Sequence, residues 1–354
     1  MAVFKDKVVV ITGGTGSLGK VLTRRFLANE ADQPRKIIIF SRDEAKQHFM
    51  RVEYQQKNRA TDEIIYQDFQ RLVEFRIGDI RNYHSVCAVL DEADIVINAA
   101  ALKQVPSCEY FPYEAVQTNI IGPTNIIQAI RENKLKVQTV VGVSTDKACK
   151  PVNVMGMTKA IQERIFIAAN ISIPTTRFIC VRYGNVLASR GSVIPLFHEQ
   201  IRNGGPVTIT TCAMTRFLLS LEQAVDTVLA AIENANPGEI YVPQVPASRI
   251  IDVATALIED RKIEIVVTGI RPGEKTHEIL VSQEEAWRTV KRGMYFAVKP
   301  MLPEIAKVEP HIPMLENEYS SGDDVMSLQE TRDLLNNHRL NVSRELEYDG
   351  ELLR

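Results

Sequence analysis

The sequence predicts an α/β protein built on a doubly wound parallel sheet, followed by a smaller mixed α/β domain. Short apolar runs, of the kind buried on both faces of a parallel sheet, alternate with amphipathic helical patterns as far as about residue 184. The first run leads directly into a glycine-rich turn and a helix. Farther along, the alternation weakens. We therefore predict one domain from residues 1–184 and 217–260, and a second from 185–216 and 261–354.

Composition and charge exclude several classes of protein. The net charge is −2 over 354 residues with both signs interspersed, which leaves no basic surface for nucleic acid. The sequence shows neither an apolar stretch of about 18 residues nor a signal peptide, so we expect no membrane span and a cytoplasmic location. Five scattered cysteines predict reduced thiols and no metal site. We expect a small-molecule substrate and a homo-oligomer.

A dinucleotide-binding turn follows the first strand. The apolar run Val8–Ile11 is followed at once by Thr-Gly-Gly-Thr-Gly-Ser-Leu-Gly and an amphipathic helix to Phe26. Gly13 permits a tight turn, Gly16 lets the backbone approach a pyrophosphate, and Gly19 allows close helix-strand packing. The strand before and the helix after are the context that this motif requires. The predicted cofactor contacts are Gly13, Thr15, Gly16, Ser17, Leu18 and Gly19.

The second strand, Lys36–Phe40, should end beside the adenosine ribose and so select the cofactor. Ser41 and Arg42 stand there in place of an acidic residue, with Lys46 one helical turn on. A hydroxyl and a guanidinium hold a 2'-phosphate, whereas a carboxylate would repel it, so we predict NADP rather than NAD. We interpret Asp43 as the N-cap of the next helix.

The third and fourth strands add further cofactor contacts. Leu72–Ile77 ends before Asp79 and Ile80, where Asp79 either accepts a hydrogen bond from the adenine amino group or forms a turn. Ile95–Asn98 ends at three small residues that let the backbone pass beside a cofactor, and Lys103 then directs a cation into the crevice. The three small residues are Ala99, Ala100 and Ala101.

A long helical pattern follows from Glu114 to Glu132, interrupted by Gly122 and Pro123. It carries Asn119, which on helical preference alone would be an ordinary exposed side chain.

The stretch Ser144–Lys159 concentrates the polar chemistry of the chain. The apolar run Thr139–Val143 ends in Ser-Thr-Asp-Lys, and a helical pattern opens near Val154. Open parallel sheets bind ligands at the carboxyl ends of their strands, which favours a functional site over a solvated turn. The residues that we expect at this strand end are Asp146, Lys147, Met155 and Lys159.

The pattern becomes mixed after the sixth strand, Phe178–Val181. We predict a loop at Ser189–Pro195 that enters a helix, a short strand before Met214, a turn at Arg271–Lys275, and helices at Glu222–Glu233, Ile250–Ile258 and Ser327–Asn337. The turn brings two cations and a carboxylate together. We expect this part of the chain to cap the crevice.

Together the motifs resemble the extended short-chain dehydrogenase/reductase superfamily, with its Rossmann fold. Within it, the chain resembles the nucleotide-sugar dehydratases that act on UDP-N-acetylglucosamine in bacterial polysaccharide synthesis. The resemblance covers about Phe4 to Leu280. It rests on TGGTGSLG from Thr12, SRDE from Ser41, AAALKQVP from Ala99, STDK from Ser144, RYGNV from Arg182, MTRF from Met214 and RPGEK from Arg271. Such enzymes reduce and reoxidise a held NADP within one turnover, so the net reaction is loss of water.

The resemblance implies roles for individual residues. In these dehydratases the sugar 4-hydroxyl is oxidised, carbon 5 loses a proton, the 6-hydroxyl leaves as water, and hydride returns to carbon 6. Asp146 matches the acid, Lys147 the carbon-5 base, and Lys159 the lysine at the nicotinamide ribose. The remaining matches are Thr145 beside the 4-oxygen, Asn119 as the helix-bending residue, Lys103 and Asn185 as substrate contacts, and Arg216, Arg271 and Glu274 at the uridine diphosphate.

One position departs from the superfamily pattern Tyr-x-x-x-Lys, because Met155 stands four residues before Lys159. A thioether cannot take the 4-hydroxyl proton, so we expect Lys147 to do so, with Lys159 or a held water as alternatives. A lysine is a base at neutral pH only if its pKa falls from about 10.4 to about 7, which we expect from burial beside Lys103 or Lys159. The methionine also resembles a subgroup of these dehydratases that inverts carbon 5.

Other functions stay open from the sequence alone. A UDP-sugar 4-epimerase shares the fold, cofactor and substrate class but needs no acid and base for water loss. A dehydratase could also release a 5,6-unsaturated sugar. Met155 would suit a non-catalytic NADP-binding regulator as well, since a fold does not fix a function. The pair Asp146 and Lys147 favours dehydration.

Overall fold

The computed structural model describes residues 3–56, 69–187, 192–306 and 315–342, and the backbone of two short strands near the C-terminus. The strands are β1 (Val8–Thr12), β2 (Lys36–Ser41), β3 (Val73–Ile77), β4 (Ile95–Asn98), β5 (Thr139–Thr145), β6 (Arg177–Tyr183), β7 (Asn185–Val186), β8 (Val207–Ile209), β9 (Thr215–Leu219), β10 (Ile240–Pro243), β11 (Ala247–Arg249), β12 (Ile265–Val267), β13 (Ile279–Val281), β14 (Thr289–Arg292), β15 (Tyr295–Val298), β16 (Tyr319–Ser320), β17 (Tyr348–Asp349) and β18 (Leu352–Leu353). The helices are α1 (Ser17–Leu27), α2 (Glu44–Gln56), α3 (Tyr83–Leu90), α4 (Val105–Tyr110), α5 (Pro112–Val116), α6 (Gly122–Glu132), α7 (Val154–Ser172), α8 (Val193–Arg202), α9 (Leu221–Asn234), α10 (Ile250–Ile258), α11 (Gln283–Ala286) and α12 (Leu328–Asn337).

A nine-stranded sheet, flanked by helices, has the order β14-β15-β10-β6-β5-β4-β1-β2-β3. The neighbours from β10 to β3 are parallel, whereas β15 runs antiparallel to both β10 and β14. At the centre, Val10 pairs with Ile38 on one side and Val96 on the other, and every residue of β1 is buried. The predicted doubly wound parallel sheet is confirmed. Its strand order reverses between β1 and β4, which opens a crevice at their carboxyl ends.

The C-terminal part contributes to more than one layer. The hairpin of β14 and β15 joins the large sheet through β10, a connection that the sequence did not predict for residues 261–354. Three smaller sheets, β11-β9-β7, β12-β8 and β13-β16, accompany a second hydrophobic cluster around Phe197, Leu218 and Val253. The division into 1–184 plus 217–260 and 185–216 plus 261–354 stays a prediction.

Most predicted helices of this part are present. The helices α8, α9, α10 and α12 correspond to the predictions, and Ser327 caps α12 in a capping box with Glu330. Part of the loop predicted at Ser189–Pro195 lies outside the described residues, because 188–191 belong to a gap. The Met214 motif follows the short strand β8, as predicted, and itself enters β9.

The helical pattern from Glu114 to Glu132 is not broken at Gly122 and Pro123. The chain stays helical from Pro112, and its irregularity is a π-helical turn at Gln117–Ile121, just before Gly122. Pro123 has no N–H with which to continue the regular ladder, which favours a wider turn there. Asn119 lies in this turn and is fully buried, so the expectation of an exposed side chain was wrong.

None of the described helices is long and apolar enough to cross a membrane. All five cysteines are free, as predicted. Cys108, Cys149 and Cys180 are buried, Cys87 is half-buried and Cys212 is exposed.

Candidate active site

Residues that follow the carboxyl ends of β1, β2, β4, β5 and β6 line one cleft of about 1340 Å³, and segments of the smaller sheets line its other side. Almost every predicted site residue lines this cleft. They are Gly13, Thr15, Gly16, Ser17, Leu18, Ser41, Arg42, Lys46, Asp79, Ile80, Ala99, Ala100, Ala101, Lys103, Thr145, Lys147, Lys159, Asn185, Arg216, Arg271 and Glu274. The exceptions are Gly19 and Asp146, which do not line it. Within the described parts of the chain, no group of three His, Cys, Asp or Glu side chains could hold a metal ion.

The glycine turn has the close backbone approach that a dinucleotide requires. Gly13 has φ +65°, and a Cβ there would lie 2.9 Å from Ala100 N. A Cβ at Gly19 would lie 2.2 Å from Gly14 O, so Gly19 lets α1 pack against the turn, and its direct contact with a cofactor stays a prediction. The N-terminus of α1, which begins at Ser17, lies at the cleft wall, and the first N–H groups of a helix have no partner within the helix itself. These features fit a pyrophosphate.

The end of β2 carries the groups predicted for the adenosine ribose. Ser41 Oγ forms a 3.0 Å hydrogen bond with Thr15 Oγ1, which ties it to the glycine turn. Arg42 is more than half exposed, with Nη1 3.9 Å from Asp79 Oδ2. Asp43 caps α2, as predicted, because its Oδ1 accepts from Lys46 N at 2.9 Å. Arg42 and Lys46 thus provide two cations at this end of the cleft.

Asp79 has the turn-forming role that was one of its two interpretations. Its Oδ1 accepts from Arg81 N at 3.0 Å, and its Oδ2 accepts from the Arg81 guanidinium at 2.7 Å. Burial would raise the pKa of Asp79, but the hydrogen bonds of Arg81 lower it overall. Asp79 is therefore a carboxylate on the cleft wall, and contact with adenine stays a prediction.

Asn119 connects the β4 loop to α7. Its Oδ1 accepts from Leu102 N at 2.8 Å, and its Nδ2 donates to Leu102 O at 3.0 Å and to Thr158 Oγ1 at 3.0 Å. These bonds fix the backbone immediately before Lys103, which lines the cleft. The π-helical turn places the amide where it can satisfy both backbone groups of Leu102.

Lys147 is held by three oxygens. Its Nζ lies 3.1 Å from Asp146 Oδ1, 3.1 Å from Asn185 Oδ1 and 3.3 Å from Glu278 Oε1. Burial would lower the pKa of Lys147, but the charges of Asp146 and Glu278 outweigh it and raise the pKa above its ordinary value. The expectation of a lowered pKa was wrong, because its charged neighbours include two carboxylates.

Asp146 lies just behind the cleft wall. It is 1% exposed, and Thr145 Oγ1 donates to its Oδ1 at 2.7 Å. Its Oδ2 is buried and has no hydrogen-bond partner among the described residues. A Cβ at Gly184, which lines the cleft, would lie only 3.6 Å from this oxygen. The absence of a side chain at Gly184 thus leaves Asp146 Oδ2 close to the cleft.

Sequence reasoning missed Glu278. It lines the cleft, is 2% exposed, and its Oε1 also lies 3.9 Å from Arg216 Nε. Its Oε2 is buried and has no hydrogen-bond partner in the described part of the chain. A signal was present, since Glu278 follows the Arg-Pro-Gly-Glu-Lys turn by only three residues.

The predicted turn itself docks beside the start of α7. Gly273 has φ +79°, and its carbonyl accepts from Asn153 Nδ2 at 2.9 Å. Lys275 Nζ donates to Cys149 O at 2.6 Å. The carboxylate of Glu274 has one buried oxygen without a partner among the described residues.

Lys159 lies in a less polar surrounding than Lys147. It is 5% exposed, and its Nζ donates to Gln162 Oε1 at 2.8 Å. Burial lowers the pKa of Lys159 to about 8, although Cys180 and Glu163 act in the opposite direction. Met155 also lines the cleft, and it packs in a small cluster with Cys108 and Ala115.

A buried ionic network that the sequence did not predict links the carboxyl ends of β5 and β6. Ser144 Oγ donates to Glu163 Oε1 at 2.6 Å, and Arg182 Nη2 donates to Glu163 Oε2 at 2.6 Å. Arg182 Nη1 also donates to Glu285 Oε2 at 2.7 Å. The network joins β5, β6, α7 and α11.

Comparison with solved structures shows the same architecture. Pen from Bacillus thuringiensis is 35% identical, with a TM-score of 0.83 over 95% of this chain and 99% of that one. DesIV, a dTDP-glucose 4,6-dehydratase from Streptomyces venezuelae described with NAD and TYD bound, has a TM-score of 0.63 at 19% identity. That match covers 76% of this chain and 86% of DesIV, and its identity is low enough that it supports the fold alone.

Sequence comparison gives the family. A UDP-glucose 4-epimerase of Rickettsia bellii (strain OSU 85-389) is 42% identical over 346 residues, which cover 94% of this chain and 96% of the relative. The family model described as polysaccharide biosynthesis protein matches residues 9–300. The glycine turn, the strand-end lysines and the Arg271 turn all lie within the matched range. The chain therefore belongs to the polysaccharide biosynthesis protein family.

Proposed function

We propose that this protein is a UDP-N-acetylglucosamine 4,6-dehydratase of bacterial glycan synthesis that inverts carbon 5 and recycles NADP within each turnover. The observation that carries the proposal is the hydrogen-bonded pair of Asp146 and Lys147 at the cleft, 3.1 Å apart. Removal of a proton from carbon 5 and of the 6-hydroxyl needs one base and one acid close together. The name of the Rickettsia relative, a UDP-glucose 4-epimerase, supports a UDP-sugar as the substrate class.

The chain offers a binding surface for each part of NADP. The α1 N-terminus and Gly13 suit the pyrophosphate, Arg42 and Lys46 the 2'-phosphate, and Lys159 the nicotinamide ribose. A nicotinamide cofactor held by these residues would supply the hydride chemistry, removal from carbon 4 and return to carbon 6. The sugar would then lie between Thr145 and Met155, with Arg216, Arg271 and Glu274 toward the diphosphate.

The acid and the base arise together from one proton transfer. Lys147 is cationic at rest because its pKa is raised, so it cannot act directly as a base. When its proton moves along the 3.1 Å hydrogen bond to Asp146, the lysine becomes a neutral base and the aspartate a neutral acid. Lys147 then takes the carbon-5 proton, and Asp146 gives its proton to the departing 6-hydroxyl.

A UDP-sugar 4-epimerase is the second candidate, favoured by the name of the relative at 42% identity. The two functions share oxidation at carbon 4 and differ in the product. An epimerase returns hydride to carbon 4 and keeps the mass of the substrate. It has no use for an acid that expels the 6-hydroxyl, which is the role proposed for Asp146.

The test is incubation of purified protein and NADP with UDP-N-acetylglucosamine in deuterated water, followed by mass spectrometry and proton NMR. Loss of one water, deuterium at carbon 5 and a 4-keto-6-deoxy sugar of inverted carbon 5 are expected. A product that retains the configuration at carbon 5 would overturn the proposed inversion. A 5,6-unsaturated product would show that the reaction ends before hydride returns to carbon 6. An isomer of unchanged mass would favour the epimerase. Unchanged substrate, in protein shown to bind NADP, would favour a non-catalytic regulator.

A further inference from the structure

The carboxylate of Glu278 is the second acidic group on the Lys147 ammonium. Glu278 is 2% exposed, its Oε1 lies 3.3 Å from Lys147 Nζ, and its Oε2 has no partner among the described residues. A buried carboxylate with one oxygen unpartnered is costly unless the site uses it. The roles given above to Asp146 and Lys147 leave Glu278 without a function.

Proton counting shows why a third group is needed. In the proposed dehydration the sugar gives up two protons, one from the 4-hydroxyl and one from carbon 5, before hydride returns. Only one of them is offset by the proton that Asp146 gives to the leaving water. Because the thioether of Met155 cannot take a proton, the proposed mechanism assigns both protons to Lys147, and a lysine that has taken the first is no longer a base.

We propose that Glu278 takes the first of these protons from Lys147 and so lets one lysine act as base twice in each turnover. This inference rests on the proposed dehydration. Glu278 acts through Lys147, which makes it a positioning residue and proton acceptor behind the catalytic lysine. The three oxygens on Lys147 Nζ then have separate uses. Asp146 receives the resting proton, Glu278 receives the 4-hydroxyl proton, and Asn185 orients the amine.

The steps balance over one turnover. Lys147 first gives its proton to Asp146 and then accepts the 4-hydroxyl proton as hydride leaves carbon 4. It passes that proton to Glu278 and is neutral again when it removes the carbon-5 proton, while Asp146 protonates the leaving hydroxyl. After hydride has returned to carbon 6, Lys147 reprotonates carbon 5 and recovers its resting proton from Glu278. The three groups end in their starting states.

The side chains around Lys147 and Glu278 carry charges of both signs, which suits a carboxylate that is ionised in one step and protonated in another. Asp146 and Glu278 favour the cation of Lys147, and Arg216 opposes it. Lys275 also lies near Glu278. Burial, the largest effect, lowers the pKa of Lys275, whereas the charge of Glu278 acts to raise it. Arg216 Nε lies 3.9 Å from Glu278 Oε1 and adds another cation beside this carboxylate.

The Glu278→Gln variant separates a proton acceptor from a mere counter-ion. It keeps the shape and an accepting oxygen but cannot take a proton. We expect rapid mixing of substrate with the NADP-loaded variant to give reduced cofactor within about threefold of the wild-type amplitude, because the first transfer uses Asp146. Water loss and deuterium exchange at carbon 5 should fall by about 100-fold or more, in the range of lost general base catalysis. Glu278→Asp, which retains a carboxylate, should recover much of the loss.

The opposite result is equally specific. If Glu278 only holds Lys147 in its charged form, Glu278→Gln would lower the pKa of Lys147, and water loss would be retained or faster with a pH profile moved to lower pH. That outcome, with wild-type cofactor affinity as the folding control, would overturn the inference. Wild-type protein that reduces its cofactor but never removes water from the substrate would instead overturn the proposed dehydration. The measurement on wild type alone shows this, so the two failures can be told apart.

Discussion

The buried ammonium of Lys159 donates its 2.8 Å hydrogen bond to Gln162 Oε1, a neutral partner one helical turn along α7. A charge that is buried with a neutral partner destabilises the fold, and this is why the pKa of Lys159 falls to about 8. The cation is therefore kept at a cost to stability, as expected for a group whose charge serves a bound ligand.

Replacing Lys159 by Met should stabilise the cofactor-free protein at pH 7. A pKa of about 8 in the folded state against 10.5 in the unfolded chain corresponds to roughly 3 kcal/mol, as an upper figure. The penalty is complete below pH 8 and disappears as the pH rises to about 10.5, so the two proteins should converge there. Urea unfolding at a series of pH values measures this. Exposed Lys136→Met is the control, and equal stability of Lys159→Met and wild type at pH 7 would contradict the prediction.

Replacing Arg42 by Asp should shift cofactor preference from NADP toward NAD. The 2'-phosphate would lose a charged partner and meet a carboxylate beside Asp79, a change of about 2 kcal/mol or more. Calorimetric titration of both cofactors into stripped protein checks it. Arg35→Asp makes the same charge change at an exposed position outside the cleft lining. Unaltered NADP affinity in Arg42→Asp would remove this side chain from the site.

Asp146→Asn should halt the proposed reaction after oxidation. In this variant Lys147 can pass its resting proton to Glu278, 3.3 Å away, so oxidation at carbon 4 still occurs. An amide cannot protonate the 6-hydroxyl, so reduced cofactor should accumulate while water loss falls by about 100-fold or more. Lys147→Ala should lose both reduction of the cofactor and deuterium exchange at carbon 5. Stopped-flow absorbance and mass spectrometry distinguish the two variants. Normal water loss by Asp146→Asn would exclude it as the acid, and carbon-5 exchange surviving in Lys147→Ala would move the base to Lys159 or Lys103.

Arg182→Met should destabilise the fold by about 3 to 5 kcal/mol, because it leaves Glu163 and Glu285 buried without their shared cation. Arg164→Met is the matched control. Arg164 is half exposed and 4.0 Å from Glu285, so it should cost less than about 1 kcal/mol. Similar unfolding free energies for the two variants would show that the buried network is not what holds the strand ends.

The same network predicts an acid dependence. Burial alone would raise the pKa of Glu285, but Arg182 outweighs it and holds the pKa at about 2. A lowered pKa contributes stability that is complete above the ordinary value of 4.5 and is lost as the pH falls toward 2. Between pH 5 and pH 2, the free energy of unfolding should therefore fall more steeply with decreasing pH in wild type than in Arg182→Met. Equal slopes for the two proteins would contradict this prediction.

The local pattern of the sequence was enough for the sheet and for most of the cleft. Buried strands such as β1 are continuous apolar runs, and a glycine turn between a strand and a helix is typical of a dinucleotide-binding site. Because parallel strands share one carboxyl edge, the residues after β1, β2, β4 and β5 had to meet there once the sheet was recognised. Asn119 shows the limit, since helical preference suggested exposure, whereas the π-helical turn buries it against Leu102.

The sequence by itself determined the parallel sheet, the glycine turn after its first strand and which polar residues gather at the strand ends, since these depend on periodicity and on chain order. Only the tertiary structure decided the electrostatic state of each lysine. Lys147 and Lys159 look alike in the sequence, but the ammonium of Lys147 meets the carboxylates of Asp146 and Glu278, whereas that of Lys159 donates to the neutral amide of Gln162. Glu278 lies more than 130 positions from Lys147, and the sequence contains no local periodicity that connects them. Charge interactions depend on distance and burial in space, so the raised pKa of one lysine and the lowered pKa of the other follow from folding alone.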